Sequence, residues 1–172
     1  DKMNVADIKE AIIKGMEMNL EEIDAIANNP EPATFENTIE EMERAGAELN
    51  RAFTYYGIFS GNMSSPEFRE IQGELAPQIS EFSSKITQNE QLFARIKAVY
   101  DASQTTPLDD DQQRVVELTY KSFEMNGAEL SPEQKEKYAA ISKELSSLYT
   151  TFSNNVLHDE ENYITYLTED QL

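Results

Sequence analysis

Side chains able to do metal or nucleophilic chemistry are scarce in this chain, which has one histidine, His158, and no cysteine. His158 opens a cluster with three carboxylates, His158-Asp159-Glu160-Glu161. Adjacent residues at a helix end point in different directions, and one imidazole is a poor basis for a metal site that needs several nitrogen or sulfur donors. We interpret the cluster as a solvated helix terminus and expect neither a metal site nor a catalytic residue in this chain.

Three consecutive aspartates, Asp109, Asp110 and Asp111, suggest calcium as an alternative. An EF-hand loop beginning at Asp109 would need glycine at its sixth position and glutamate at its twelfth. This chain has Arg114 and Tyr120 at those positions. Carboxylates are also favoured where a helix begins, because they meet the positive end of the helix dipole. The aspartates are therefore expected to begin a helix.

Aromatic side chains are a second candidate group. Phe53, Tyr55, Tyr56 and Phe59 are close in sequence, and rings with hydroxyl tips suit the binding of peptides. Phe53 and Tyr56 fall on an apolar helical stripe and are expected to pack in the core. Tyr55 and Phe59 lie off that stripe, so we predict that these two residues line a substrate channel.

The apolar spacing predicts an all-α fold of about six amphipathic helices in a bundle-like array. In the first helix, residues three or four apart should face the core: Val5, Ile8, Ile12, Met16, Leu20, Ile23 and Ile26. Asn28-Asn29-Pro30 should end this helix. Thr34 is predicted to cap a second helix that runs as one element from Phe35 to Tyr56.

Four further helix starts are predicted at Ser65, Asn89, Asp109 and Ser131. Pro77 should kink or interrupt the third helix, because proline lacks a backbone N–H. The sixth helix has an apolar stripe that we expect to face inward, with Leu145 at its centre: Tyr138, Ile141, Leu145, Leu148, Phe152 and Val156.

One short strand is predicted near the C-terminus, at Tyr163–Leu167, because this segment is β-branched and aromatic. A strand must pair, and no second convincing strand is present in the sequence, so its partner is expected further along the polypeptide.

Composition argues against two classes of partner. The chain has 14 lysines and arginines against 33 aspartates and glutamates, a formal charge of −19 that repels phosphate backbones and anionic membranes. No apolar run approaches the roughly 20 residues of a membrane-spanning helix. We expect no nucleic-acid partner and no membrane span. The acidic excess is interpreted as solvated helix faces, with attraction of cationic peptides as the alternative.

Several segments carry a resemblance to a known family. They are Glu22-Ile23-Asp24-Ala25-Ile26, Asn28-Asn29-Pro30-Glu31-Pro32, Thr34-Phe35-Glu36-Asn37-Thr38-Ile39, Leu92-Phe93-Ala94-Arg95-Ile96-Lys97-Ala98-Val99-Tyr100-Asp101 and Phe152-Ser153-Asn154-Asn155-Val156-Leu157. Together they resemble the thimet-oligopeptidase family of zinc metallopeptidases, with the bacterial peptidyl-dipeptidase branch first and oligopeptidase A next.

The resemblance implies that this chain and the zinc site belong to separate domains of a longer polypeptide. In that family zinc is bound by a His-Glu-x-x-His helix, which a chain with a single histidine cannot supply. The chain would then be a non-catalytic N-terminal domain, inactive alone, with zinc as cofactor of the full-length peptidyl-dipeptidase. Its partners would be the C-terminal zinc-bearing domain of the same polypeptide and an oligopeptide substrate. The domain would form one wall of a deep channel that restricts access to short, unfolded peptides.

On this interpretation, residues 1–160 form the helical channel-wall domain, and residues 161–172 begin the linker and strand leading into the catalytic domain. The parent enzyme is expected in the bacterial cytoplasm or periplasm, two compartments that the sequence does not distinguish. The alternative is a stand-alone acidic helical module that binds a protein partner.

Overall fold

Six long α-helices build the described part of the chain, residues 4–106 and 108–171 of the computed structural model. They are α1 (Val5–Ala27), α3 (Ala47–Asn62), α4 (Pro66–Thr87), α5 (Glu90–Ser103), α6 (Asp110–Met125) and α7 (Pro132–Asn162). Between α1 and α3, a π-helix (Phe35–Glu40) continues into the short α2 (Glu41–Arg44). A 3₁₀ turn, Glu169–Gln171, follows α7. The prediction of an all-α fold with about six helices is confirmed.

Polar caps begin the helices where the sequence predicted them. The Asn89 side chain accepts a hydrogen bond from the backbone N–H of Leu92 at 3.0 Å, which satisfies one of the free donors at the start of α5. Ser131 and Gln134 form a capping box at the start of α7. Pro77, by contrast, lies inside a single continuous α4, so the helix is not interrupted there, and a kink at Pro77 stays a prediction.

Two hydrophobic clusters form the core, and α1 contributes to both. The first half of α1 packs with α3 and α4 through Ile8, Ile12, Met16, Leu49, Ala52, Ile71 and Leu75. The second half packs with the π-helix, α5 and α6 through Ile23, Ile26, Ala27, Ile39, Leu92, Ile96, Val99, Val116, Phe123 and Ala128. The face predicted for α1 is therefore the buried one. Its Gly15 permits the close approach of α3, since a Cβ there would lie 2.9 Å from the Cα of Leu49.

Arg95 on α5 holds the connection that follows α1. Its Nη1 donates hydrogen bonds to the backbone oxygens of Asn29 and Glu31 at 2.8 and 2.9 Å. Its Nη2 donates to Asn37 Oδ1 at 2.8 Å and to Thr38 Oγ1 at 3.2 Å. One guanidinium thus joins three of the segments that carry the family resemblance.

The predicted single helix from Phe35 to Tyr56 is wrong, because the chain breaks at Gly46. Gly46 adopts φ +77°, a left-handed conformation that side-chain-bearing residues rarely adopt. Its N–H donates to Glu22 Oε2 at 2.7 Å, and an added Cβ would lie 3.1 Å from the amide of Asn19. Contact with α1 therefore fixes the break between α2 and α3.

The predicted strand at Tyr163–Leu167 is also wrong. Residues 163–168 form no regular secondary structure, and all of them are exposed. A strand is stabilised by the hydrogen bonds of a ladder, and no strand is present within residues 4–106 and 108–171 to provide one.

The inward face predicted for the last long helix is wrong as well. Five members of that stripe on α7 are exposed, led by Phe152 at 67% and including Leu145 at 45%, and Tyr138 is partly buried. Another face of α7, with the small side chains Ser142, Ser146 and Thr150, is partly buried. The Ser146 hydroxyl donates to the backbone oxygen of Ala76 in α4 at 2.9 Å. The α4 contact therefore uses small polar residues.

Replacing Arg95 should test its role in the fold. Arg95→Met keeps much of the side-chain volume but leaves four acceptors without their donor, so we expect a loss of about 3 kcal/mol in the free energy of unfolding. Urea denaturation followed by circular dichroism measures this. Arg114→Met, which removes an arginine from an exposed i,i+3 ion pair with Glu117, is the control and should change little. Equal effects of the two substitutions would contradict the assigned role.

Two leucines distinguish the core from the face of α7. Leu75 is fully buried, so Leu75→Ala should remove about 2–5 kcal/mol from the free energy of unfolding of the 172-residue chain. Leu145 is 45% exposed, so Leu145→Ala should remove less than about 1 kcal/mol. The same denaturation experiment compares them. A larger loss for Leu145 would mean that α7 buries its apolar stripe.

Candidate functional site

The outer face of α3 is the surface on which the sequence placed substrate contacts. Tyr55 is 38% exposed and Ile58 is 44% exposed on this face. A Cβ added at Gly57 or Gly61 would meet no atom within 4 Å, so the backbone there is open to an approaching chain. The surface combines apolar area, one phenol hydroxyl and accessible backbone, which are features that can accommodate an extended peptide.

The two predicted channel residues lie in different environments. Tyr55 points away from the core, whereas Phe59 is half-buried, with its ring 5.7 Å from the ring of Phe68. Tyr56 packs on the other side of Phe68, at 5.3 Å between ring centroids, and burial raises the pKa of its hydroxyl. Phe59 can therefore support the surface from below while Tyr55 presents its ring. Contact of either residue with substrate stays a prediction.

An acidic groove lies between the end of α1 and the π-helix, with a volume of about 640 Å³. Its carboxylates include Glu22, Glu36, Glu40 and Glu41. Hydrogen bonds from its own backbone and from the Thr34 side chain hold the pKa of Glu36 below its usual range. Several of the other carboxylates have structural partners: Glu22 accepts from Gly46, and Glu40 and Glu41 pair with Arg44. The groove is electronegative, but three of these four carboxylates already have partners within the domain.

No metal centre is formed by residues 4–106 and 108–171, since no group of three or more histidine, aspartate or glutamate side chains there is placed to hold an ion. His158 is exposed near the end of α7, with its Nδ1 3.2 Å from the Asn162 amide nitrogen. Asp109 caps α6, accepting from the backbone N–H of Gln112 at 2.8 Å. The described side chains therefore do not fit the zinc site that the family resemblance implies.

A large apolar surface on α7 is the feature that the sequence analysis missed. Its residues are Ile141, Leu145, Leu148, Tyr149, Phe152 and Val156, all exposed. We call this set the α7 apolar face. Exposed Tyr163, Ile164, Tyr166 and Leu167 follow it. The signal that could have revealed it is the second stripe on the same helix, Ser142, Ser146 and Thr150, whose i,i+4 spacing provides a small-residue contact surface.

In the part of the chain that the structure describes, no helix is both long and apolar enough to cross a bilayer.

Comparison with known proteins gives these surfaces a context. The family described as "Neurolysin/Thimet oligopeptidase, N-terminal domain" matches residues 9–135. The dipeptidyl carboxypeptidase of Salmonella typhimurium is 27% identical over 157 residues, which cover 91% of this chain and 23% of that protein.

The dipeptidyl carboxypeptidase of Escherichia coli is 29% identical over 147 residues, covering 86% of this chain and 22% of the relative. Oligopeptidase A of Escherichia coli is 26% identical over 160 residues, covering 93% of this chain and 24% of the relative. The chain thus spans about a quarter of the length of the curated relatives it matches. Because the family match extends over well more than half of its residues, the chain belongs to the neurolysin/thimet oligopeptidase family and contains that family's N-terminal domain.

Proposed function

We propose that this chain is the non-catalytic N-terminal domain of a zinc-dependent oligopeptidase. One observation supports the proposal most directly. The chain matches the N-terminal domain of this peptidase family and has two hydrophobic cores of its own, but its described residues form no metal-binding cluster. The relatives are about four times as long as the part they share with this chain, which leaves ample sequence for a zinc-bearing domain. Zinc would polarise the scissile carbonyl or its attacking water there.

The domain's role would be to restrict access to the active-site channel. The outer face of α3, with Tyr55 presented and Phe59 beneath it, would form part of the channel wall and contact short peptides in extended form. A rigid wall can exclude folded proteins by size, and its closure over a peptide excludes water from the reacting bond. The formal charge of −19 adds attraction for cationic peptides.

For the parent enzyme we propose the peptidyl-dipeptidase type, which releases dipeptides from the C-terminus of an oligopeptide. Two of the relatives described above are named dipeptidyl carboxypeptidase, which supports this choice, and the oligopeptidase A type is the alternative because a third relative has that name. The helical channel-wall domain would comprise residues 1–160, and residues 161–172 would lead into the catalytic domain. Residues 1–3 and 172, at the ends of these ranges, lie outside the described residues.

The activity can be tested on the longer polypeptide that includes this chain. It should release dipeptides from an oligopeptide with a free C-terminus, a zinc chelator should abolish the release, and the 172-residue chain alone should release none. Mass spectrometry of the products measures this, with a folded protein of similar composition as the control for size exclusion. Hydrolysis by the 172-residue chain itself, or chelator-insensitive hydrolysis by the longer polypeptide, would contradict the proposal.

The channel wall can be tested at Tyr55. In the longer polypeptide, Tyr55→Ala should raise KM for an oligopeptide several-fold and leave kcat nearly unchanged, because the lost contact lies away from the reacting bond. The control is Met18→Ala on α1, which removes a side chain of the same 38% exposure. Steady-state kinetics compare the two. An unchanged KM for Tyr55→Ala, or an equal change in KM for Met18→Ala, would contradict the proposal that α3 forms part of the channel wall.

A further inference from the structure

The α7 apolar face points away from the domain to which α7 is attached. None of the side chains in the two hydrophobic clusters, or of those packed on their margins, comes from α7. The helix is instead held on α4 by small hydroxyl residues and by ion pairs, among them Arg69 Nη2 with Glu161 Oε1 at 2.7 Å and Lys143 with Glu81. An amphipathic helix on a water-facing surface normally shows the opposite orientation, with its apolar stripe inward.

The exposed area is large and continuous along the helix. Leu148 is 57% exposed, Tyr149 68% and Phe152 67%, and with Leu145 they line one shallow apolar depression. Scattered exposed apolar residues need no explanation, but a contiguous patch of this kind marks an interface. We therefore expect an apolar partner to cover the α7 apolar face in the working protein.

Two observations point to what covers it. The alignment with oligopeptidase A of Escherichia coli spans 160 residues of this chain and so includes most of α7, yet it covers only 24% of that relative, so most of the relative lies outside the shared part. The exposure then continues into Tyr163–Leu167, which leads toward residue 172. A segment that follows along the same chain is tethered beside the face and reaches it at high effective concentration.

Charge argues against a second copy of the chain as the occupant. Each copy has a formal charge of −19, so two copies would repel one another as they approached. The carboxylates of Asp159 and Glu160 lie at the end of α7 and add local repulsion in a parallel pairing. A tethered segment with an apolar surface has no such restriction.

We propose that the α7 apolar face, together with Tyr163–Leu167, is the docking surface for the part of the same polypeptide that follows residue 172. This inference rests on the proposed function, because it takes its partner from the longer enzyme. α7 would then be a shared helix, attached to the N-terminal domain by its small polar face and to the remainder by its large apolar face.

The test introduces a charge into the face and compares two chain lengths. In the 172-residue chain, Leu148→Glu and the control Ala140→Glu, which adds the same charge at an exposed position outside the face, should each shift the thermal midpoint by less than about 2 °C. In the longer polypeptide, Leu148→Glu should lower the midpoint by at least about 4 °C, whereas Ala140→Glu should not. Differential scanning calorimetry measures all four. If Leu148→Glu prevents folding of the longer polypeptide, the milder Leu148→Ala takes its place, with a smaller decrease expected.

The other outcomes overturn either this inference or the proposed function. Equal, small shifts in both chain lengths would mean that the face stays in water. Sedimentation that shows a dimer of the longer polypeptide, dissociated by Leu148→Glu, would make a second copy the occupant. The peptidase activity of the unmodified longer polypeptide is measured in parallel. An active enzyme insensitive to Leu148→Glu would sink only this inference, and an inactive polypeptide destabilised by Leu148→Glu would sink only the proposed function.

Discussion

The hydrogen bonds donated by Arg95 are the interaction on which the arrangement of this domain depends. The chain that leaves α1 contains two prolines and has no helix or strand to satisfy its carbonyl groups. Arg95 supplies donors to two of them and at the same time to the side chains of Asn37 and Thr38 in the π-helix. Because α5 also contributes Leu92 and Ile96 to the second core, the guanidinium couples the path of the connection to the packing of that core.

The same coupling extends to Asn37, which lies in one of the segments that carry the family resemblance. Asn37 exchanges hydrogen bonds with Thr34 at the start of the π-helix and also donates to the backbone oxygen of Pro32 at 2.9 Å. Its Oδ1 accepts from Arg95 as well, so one amide serves the cap, the connection and α5. Substitution of Asn37 would remove the acceptor of the partly buried hydrogen bond from Arg95, which is costly whether or not the domain touches substrate.

The sequence was sufficient to predict helix caps and the buried face of a helix. Caps at Asn89 and Ser131 act within a few residues of themselves, and the apolar face of α1 has partners on both halves of the domain. The sequence was insufficient to predict features that depend on contacts with residues far away in the chain. The break at Gly46 depends on Glu22 in another helix, and Tyr163–Leu167 has strand-forming residues but no neighbouring strand among the described residues.

The helix α7 has two stripes that could face the core. Periodicity predicts that the larger, apolar stripe is buried, although α4 contacts the smaller, polar stripe. Tyr55 could be assigned to an exposed position because it lies off the stripe of Phe53 and Tyr56, whereas its contact with a peptide depends on the proposed channel and stays a prediction.

We infer that this domain provides architecture and a docking surface, and that the metal and its chemistry belong to the following part of the polypeptide. Diffraction data collected at the zinc absorption edge from crystals of the longer polypeptide test it most directly. The predicted result is one anomalous peak whose protein ligands all lie beyond residue 172. A peak ligated by His158, or by any carboxylate of the present chain, would contradict the claim.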